Sequence, residues 1–265
     1  MSPFILGRTH IMKKLLIFGV VVMVVGASFA ATAGTDNAAN AAYADGWTAG
    51  DNGGSGFSAW TIGGFPGGGF ASNFIAAQGQ GGVDVGTSGF ALSAYPNTSG
   101  AGAFASRSYI GPMNVGDIFS FTLGINADSG SDGLKRFVLL SGGSAELFIE
   151  NAGSSAINYT GSSSGTMFAN EGTTPMNFTF EYLTGNNLRV MANGRDGIES
   201  FDQTFTVVAA PAYFKVFVNQ LPGGDDAQLY FNNFEMRNAA VPEPATMGLL
   251  GLGALALVLR RKISQ

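Results

Sequence analysis

Residues 117–126 alternate: Ile118, Ser120, Thr122 and Gly124 fall on one side of an extended chain, and Phe119, Phe121, Leu123 and Ile125 on the other. A period of two with one apolar side is the mark of a strand with one face in a core. Further runs follow at 135–140, 146–150, 176–183, 188–193, 200–208, 213–219 and 228–236. Gly142-Gly143, Gly185-Asn186-Asn187, Asn193-Gly194 and Pro222-Gly223-Gly224 separate them. Asn193-Gly194 suits a type I′ turn, because both residues tolerate positive φ. Upstream, 89–95 and 103–109 flank Pro96-Asn97-Thr98-Ser99-Gly100, which predicts a hairpin. Many short strands with no helical period between them predict an all-β chain. An antiparallel β-sandwich with long connections of jelly-roll type is expected.

The two ends depart from this pattern. Lys13 and Lys14 precede an apolar run at 15–25 and a small-residue stretch at 26–33, the layout of a secretory signal. Ser28-Phe29-Ala30 and Ala31-Thr32-Ala33 both fit the small-x-small rule, so cleavage after Ala30 or Ala33 fits equally, and Met12 is expected as the true start. At the other end, Pro242 and Pro244 hold Val241 and Glu243 in extended conformations. An uncharged helix is expected at 245–259, before the basic Arg260-Arg261-Lys262. At 1.5 Å per residue it would be about 22 Å long, short of a hydrocarbon core of about 30 Å. Snorkelling of the basic side chains and local thinning can close the gap, and the basic cluster would stay cytoplasmic. Three parts follow: a signal peptide at 1–33, a sandwich ectodomain at 34–238, and a sorting tail at 239–265.

Extended Pro-Glu-Pro, apolar run and basic end together resemble the PEP-CTERM sorting signal of Gram-negative bacteria. Pro242, Glu243 and Pro244 match its namesake tripeptide and Arg260, Arg261 and Lys262 its basic terminus. The resemblance implies that exosortase, a membrane transpeptidase-like enzyme, recognises and cleaves the tail. The body resembles sandwich ectodomains found ahead of such signals, through Asp45-Gly46-Trp47, 56–60, 115–121 and 229–234. That likeness implies a lectin-like jelly roll, without transferring sugar binding.

Composition narrows the chemistry. With 40 glycines, 22 phenylalanines and no cysteine, stability must come from packing and sheet hydrogen bonds. Residues 34–238 carry seven basic and seventeen acidic side chains, a balance of −10. Nucleic acid is therefore an unsuitable partner. The sole histidine, His10, lies ahead of the signal, so triads built on His or Cys are excluded and zinc is disfavoured.

Carboxylate chemistry would have to use Glu146, Glu150, Glu181 or Glu199, which read as solvated strand residues. Asp128 and Asp132, in Asp-Ser-Gly-Ser-Asp-Gly, are the candidates for calcium, although Gly130 stands where a ligand oxygen belongs and a plain turn is preferred. Trp47 and Trp60 could form a sugar-stacking platform, but an indole packed into the sandwich is the stronger reading. Gly-rich 50–69 reads as a flexible surface loop, and Asn97, Asn158 and Asn177 head sequons of no assigned weight.

The expectation is a non-enzymatic structural or adhesive protein, without a cofactor, that passes through the inner membrane to the cell surface or extracellular matrix. Its alternatives are a carbohydrate-binding module for exopolysaccharide and a carboxylate-dependent glycan-processing enzyme.

Overall fold

The computed structural model describes residues 32–239, except 66–69, 96–100, 127–132, 153–155, 170–171, 195–196 and 220–226. Fifteen strands fill this span: β1 (Thr32–Asp36), β2 (Thr61–Phe65), β3 (Phe70–Ala77), β4 (Ser88–Tyr95), β5 (Gly102–Ser108), β6 (Ile118–Ile125), β7 (Leu134–Ser141), β8 (Ser144–Ala152), β9 (Ile157–Thr160), β10 (Ser164–Phe168), β11 (Met176–Leu183), β12 (Asn187–Asn193), β13 (Ser200–Thr206), β14 (Tyr213–Asn219) and β15 (Ala227–Arg237). They form two antiparallel sheets. One runs β13-β12-β11-β6-β15-β4-β3, with β1 also on β15; the other runs β10-β9-β8-β7-β14-β5-β2. The chain is thus an all-β antiparallel sandwich. The expected N-terminal signal and the expected helix at 245–259 lie outside the described residues, and no described helix is long and apolar enough to cross a membrane.

The alternation of β6 puts Phe119 and Phe121 in the core. Phe178 and Phe180 of β11 lie beside them, at 5.4 Å and 6.0 Å between ring centroids for Phe121–Phe178 and Phe119–Phe180. Phe137 of the opposite sheet reaches Phe121 at 4.5 Å, and Phe214 reaches Phe234 at 5.0 Å. A layer of near-parallel phenylalanine rings therefore glues the sheets, each contact contributing about 0.5–1.5 kcal/mol beyond area burial.

Three local expectations change. Residues 89–95 and 103–109 do form strands, yet they are not a hairpin: β4 pairs with β3 and β15, whereas β5 pairs with β14 and β2. β4 and β5 thus lie in different sheets, and Phe90, Leu92, Ala103 and Ala105 all belong to the core. Asn193-Gly194 is not a type I′ turn, because Asn193 stays paired with Ser200 and does not have positive φ. That geometry occurs at Gly142-Gly143, with φ of 53° and 94° between the paired Ser141 and Ser144.

Finally, Gly-rich 50–65 is packed rather than a free loop: Phe57 and Trp60 are buried and 61–65 is β2. Glycine is needed there by close approach, since a Cβ on Gly56 would lie 2.4 Å from the Gly34 Cα and the residue has φ of 75°.

β15 carries a bulge between Asn232 and Glu235, with Asn233 at φ of 56°. Its first half pairs with β4 and its second with β1. Asn232, 1% exposed, fixes the changeover. Its Oδ1 accepts from the Ala38 N–H at 2.8 Å, and its amide donates to Ser88 O at 2.6 Å and Val85 O at 3.2 Å.

Candidate ligand-binding face

Trp47 and Trp60 are each only 2% exposed. Their rings meet edge to face at 5.2 Å and both pack on Phe90. They are core, as the packing reading held, and no platform exists there. Behind them lies a buried polar knot. Arg107 on the inner face of β5 pairs with Asp36 of β1, and its guanidinium stands 4.9 Å from the Trp60 ring and 5.2 Å from Phe57. The Tyr43 hydroxyl donates to Asp36 at 2.5 Å and accepts from the Gly53 N–H at 3.0 Å and the Trp60 indole at 3.2 Å. Burial first, then the bond to Asp36, push the Tyr43 phenol up to about 12. Every group in the knot is satisfied and turned inward, so it stitches the first strand to the core.

The four glutamates do not converge. Glu146 is buried, accepting from the Ser141 hydroxyl and from the Val208 N–H at 2.8 Å. Glu150 binds Arg136 on the outside of the seven-stranded sheet, whereas Glu181, on the outside of the other, lies 3.8 Å from Arg189. Glu199 precedes β13. Among the described residues no group of three His, Cys, Asp or Glu could hold a metal. Asp128 and Asp132, like Val241, Pro242, Glu243, Pro244, Arg260, Arg261 and Lys262, lie outside the described residues. A hollow of about 790 Å³ beside β3 is lined by Asn40, Tyr43, Trp47, Asn73 and Phe74 among others, with no charged side chain.

The outer faces of the two sheets differ. On the eight-stranded sheet Val83 and Val85 fold over Ala91 and Tyr230, forming a small second core. Farther along, Arg189 is neutralised by Asp202 at 2.6 Å and 2.9 Å.

The seven-stranded sheet instead presents aromatic rings. Phe214, Val216 and Val218 point inward, which turns Tyr213, Lys215 and Phe217 out. Phe217 stands opposite Phe104 on one side and Arg136 on the other. The Phe104 ring covers Gly63, where a Cβ would come within 2.6 Å of it, and the Phe65 ring covers Gly102 in the same way at 2.5 Å. Phe65 is 41% exposed and lies 6.0 Å from Phe217. Two cations complete the face. Lys215 Nζ is 4.2 Å from the Phe104 centroid, and the Arg136 guanidinium is 4.9 Å from that of Phe148 while its Nε donates to Glu150 at 2.6 Å.

Sequence reasoning missed this face because it sought exposed aromatics among tryptophans. The available signal was Tyr213-Phe214-Lys215-Val216-Phe217-Val218, which is apolar at both parities around one lysine.

Residues 240–262 match the model of the PEP-CTERM protein-sorting motif. Such a signal marks an exported, surface-directed protein that exosortase processes. No curated protein matches the chain. Among solved structures, the chain is similar to a cellulose-induced protein, Cip1, at a TM-score of 0.45 and 14% identity over 69% of this chain and 92% of that one. It is also similar to a protein of unknown function from Shewanella oneidensis MR-1, at 0.47 and 14% over 91% and 98%. A third is the exoplasmic/lumenal domain of VIP36 in its Ca2+/Man3GlcNAc-bound form, at 0.42 and 12% over 71% and 87%.

Proposed function

From the sorting motif at 240–262 we propose that this chain is an exported, non-enzymatic envelope or matrix protein, delivered by its N-terminal signal and released by cleavage at its C-terminal one. In the mature state it is structural or adhesive. The observation that carries the reading is the motif itself, joined to a sandwich whose carboxylates are dispersed over both sheets or locked in internal bonds. The repeated passage of the chain between sheets, as from β4 to β5 and from β6 to β7, supports a jelly-roll description of the same body.

Mass spectrometry of the protein from its native host tests the proposal. A C-terminus near Pro244 is expected, and loss of this trimming when the processing enzyme is deleted. An intact Gln265 in the surface-located protein defeats the sorting reading and leaves a plain membrane anchor.

A further inference from the structure

We propose that the outer face of the seven-stranded sheet is the contact surface of the mature protein, and that its ligand is an acidic, uronate-bearing polysaccharide. The inference rests on the exported-matrix reading above and names the partner that reading leaves open.

A sheet face turned to water ordinarily carries polar side chains. This one carries Phe65, exposed, with Phe104, Phe148 and Phe217, half-buried, and apolar side chains gathered on an outer face signal an interaction surface. The rings are fixed before any ligand arrives. Phe104 and Phe65 are seated on Gly63 and Gly102, and Phe148 is held under Arg136. Sugar rings present apolar C–H faces that pack on aromatic side chains, and prior fixation lowers the entropy cost of that contact.

Charge selects the class of sugar. Arg107, Arg136, Arg189 and Arg237 each have a carboxylate within 4.0 Å; among the described residues Lys215 has an aromatic ring and no carboxylate partner. In a body with ten more acids than bases, a cation without a carboxylate on a half-buried apolar face is complementary to an anion brought from outside. Its nearest cross-strand neighbours are Ser106 and Val138, neither of them acidic. With a Debye length of about 8 Å at physiological salt, the face feels Lys215 more than charges far from it, Arg136 being matched by its own partner Glu150. Extended polysaccharides with a carboxylate on a regular repeat meet both demands: ring faces for the phenylalanines and a carboxylate for Lys215. A neutral glucan would leave Lys215 unanswered.

Binding of full-length protein in detergent to polygalacturonate, and to the same polymer with its carboxylates methyl-esterified, tests this by affinity electrophoresis. Retardation by the acid form is expected, with binding to the ester at least about tenfold weaker. Lys215→Gln should weaken binding of the acid form by about tenfold while Lys215→Arg retains it, with thermal melting confirming that both fold. Phe217→Ser should weaken both forms. Equal retention of the two polymers, or an unaffected Lys215→Gln variant, overturns the proposal. So does sedimentation showing a dimer that Phe217→Ser dissociates, since the face would then be covered by a second copy. None of these results depends on where the C-terminus is cleaved, so the sorting reading and this one fail separately.

Discussion

Asp36 and Arg107, seventy-one positions apart, form an ion pair in which neither side chain is exposed to solvent. The pair joins β1 to the inner face of β5 across the sandwich. Removing either partner leaves a charge stranded in a low-dielectric interior, a change that costs about 3–5 kcal/mol in comparable pairs. Arg107→Ala and Asp36→Ala should each lower stability by that order in urea unfolding, and the double variant by much less than the sum of the two. Additive losses would show that the two side chains contribute independently.

Asn232 is the hinge on which β15 changes partners. Its side chain holds backbone groups of Ala38, Ser88 and Val85, so Asn232→Leu strands the first two without water, while Val85 O keeps the Asn233 amide. A loss of about 2–4 kcal/mol is expected, at roughly 1–3 kcal/mol per stranded buried group. In amide hydrogen exchange, faster exchange should concentrate in β1 and 85–88, leaving β11 and β12 protected.

Alkaline pH probes the polar knot. The Tyr43 phenol, raised to about 12, binds its proton more tightly folded than unfolded, where such groups titrate near 10. Its contribution is complete below pH 10 and is lost as pH rises from 10 to 12. Tyr230, also raised to about 12 by burial, adds to the same fall. Tyr43→Phe should therefore flatten the decline of melting temperature above pH 10 relative to wild type, while lowering stability at pH 7 through the lost bond to Asp36. An unchanged alkaline slope would remove Tyr43 from the account.

The first strand discriminates between the two signal-cleavage positions. β1 begins at Thr32, which pairs with Arg237, and Gly34, Thr35 and Asp36 continue the ladder. Cleavage after Ala30 preserves the whole strand, whereas cleavage after Ala33 removes its first two residues. Sequencing of the mature N-terminus should start at Ala31; a start at Gly34 would show that the opening of β1 is dispensable.

Strands with one apolar side were legible in the sequence: β6, β11 and β14 lie where alternation puts them. Periodicity describes a strand by itself and is silent on which sheet receives it, so the β4–β5 crossover looked like a hairpin. Gly56 read as slack chain because its requirement, the close approach of Gly34, is steric and long-range. β1 and the short β9 and β10 lack a large apolar set, and the register of β1 depends on β15, distant in sequence. The outer aromatic face was hardest to see, since Phe104 and Phe217 look like core until the inward parity has been assigned to Ala103, Ala105, Val216 and Val218.

The tie between the Ala239 N–H and the Asp117 carboxylate, at 2.9 Å, has a mechanical meaning. The described chain ends beside β6, just past a strand flanked by β6 on one side and by β4 and β1 on the other. A tug on that end, from a membrane tether or a processing enzyme, therefore enters the middle of a sheet. Eleven residues of β15 resist it together, where an edge strand would peel one hydrogen bond at a time. Tension applied at Ala239 therefore meets a strand hydrogen-bonded on both sides before the body can unfold.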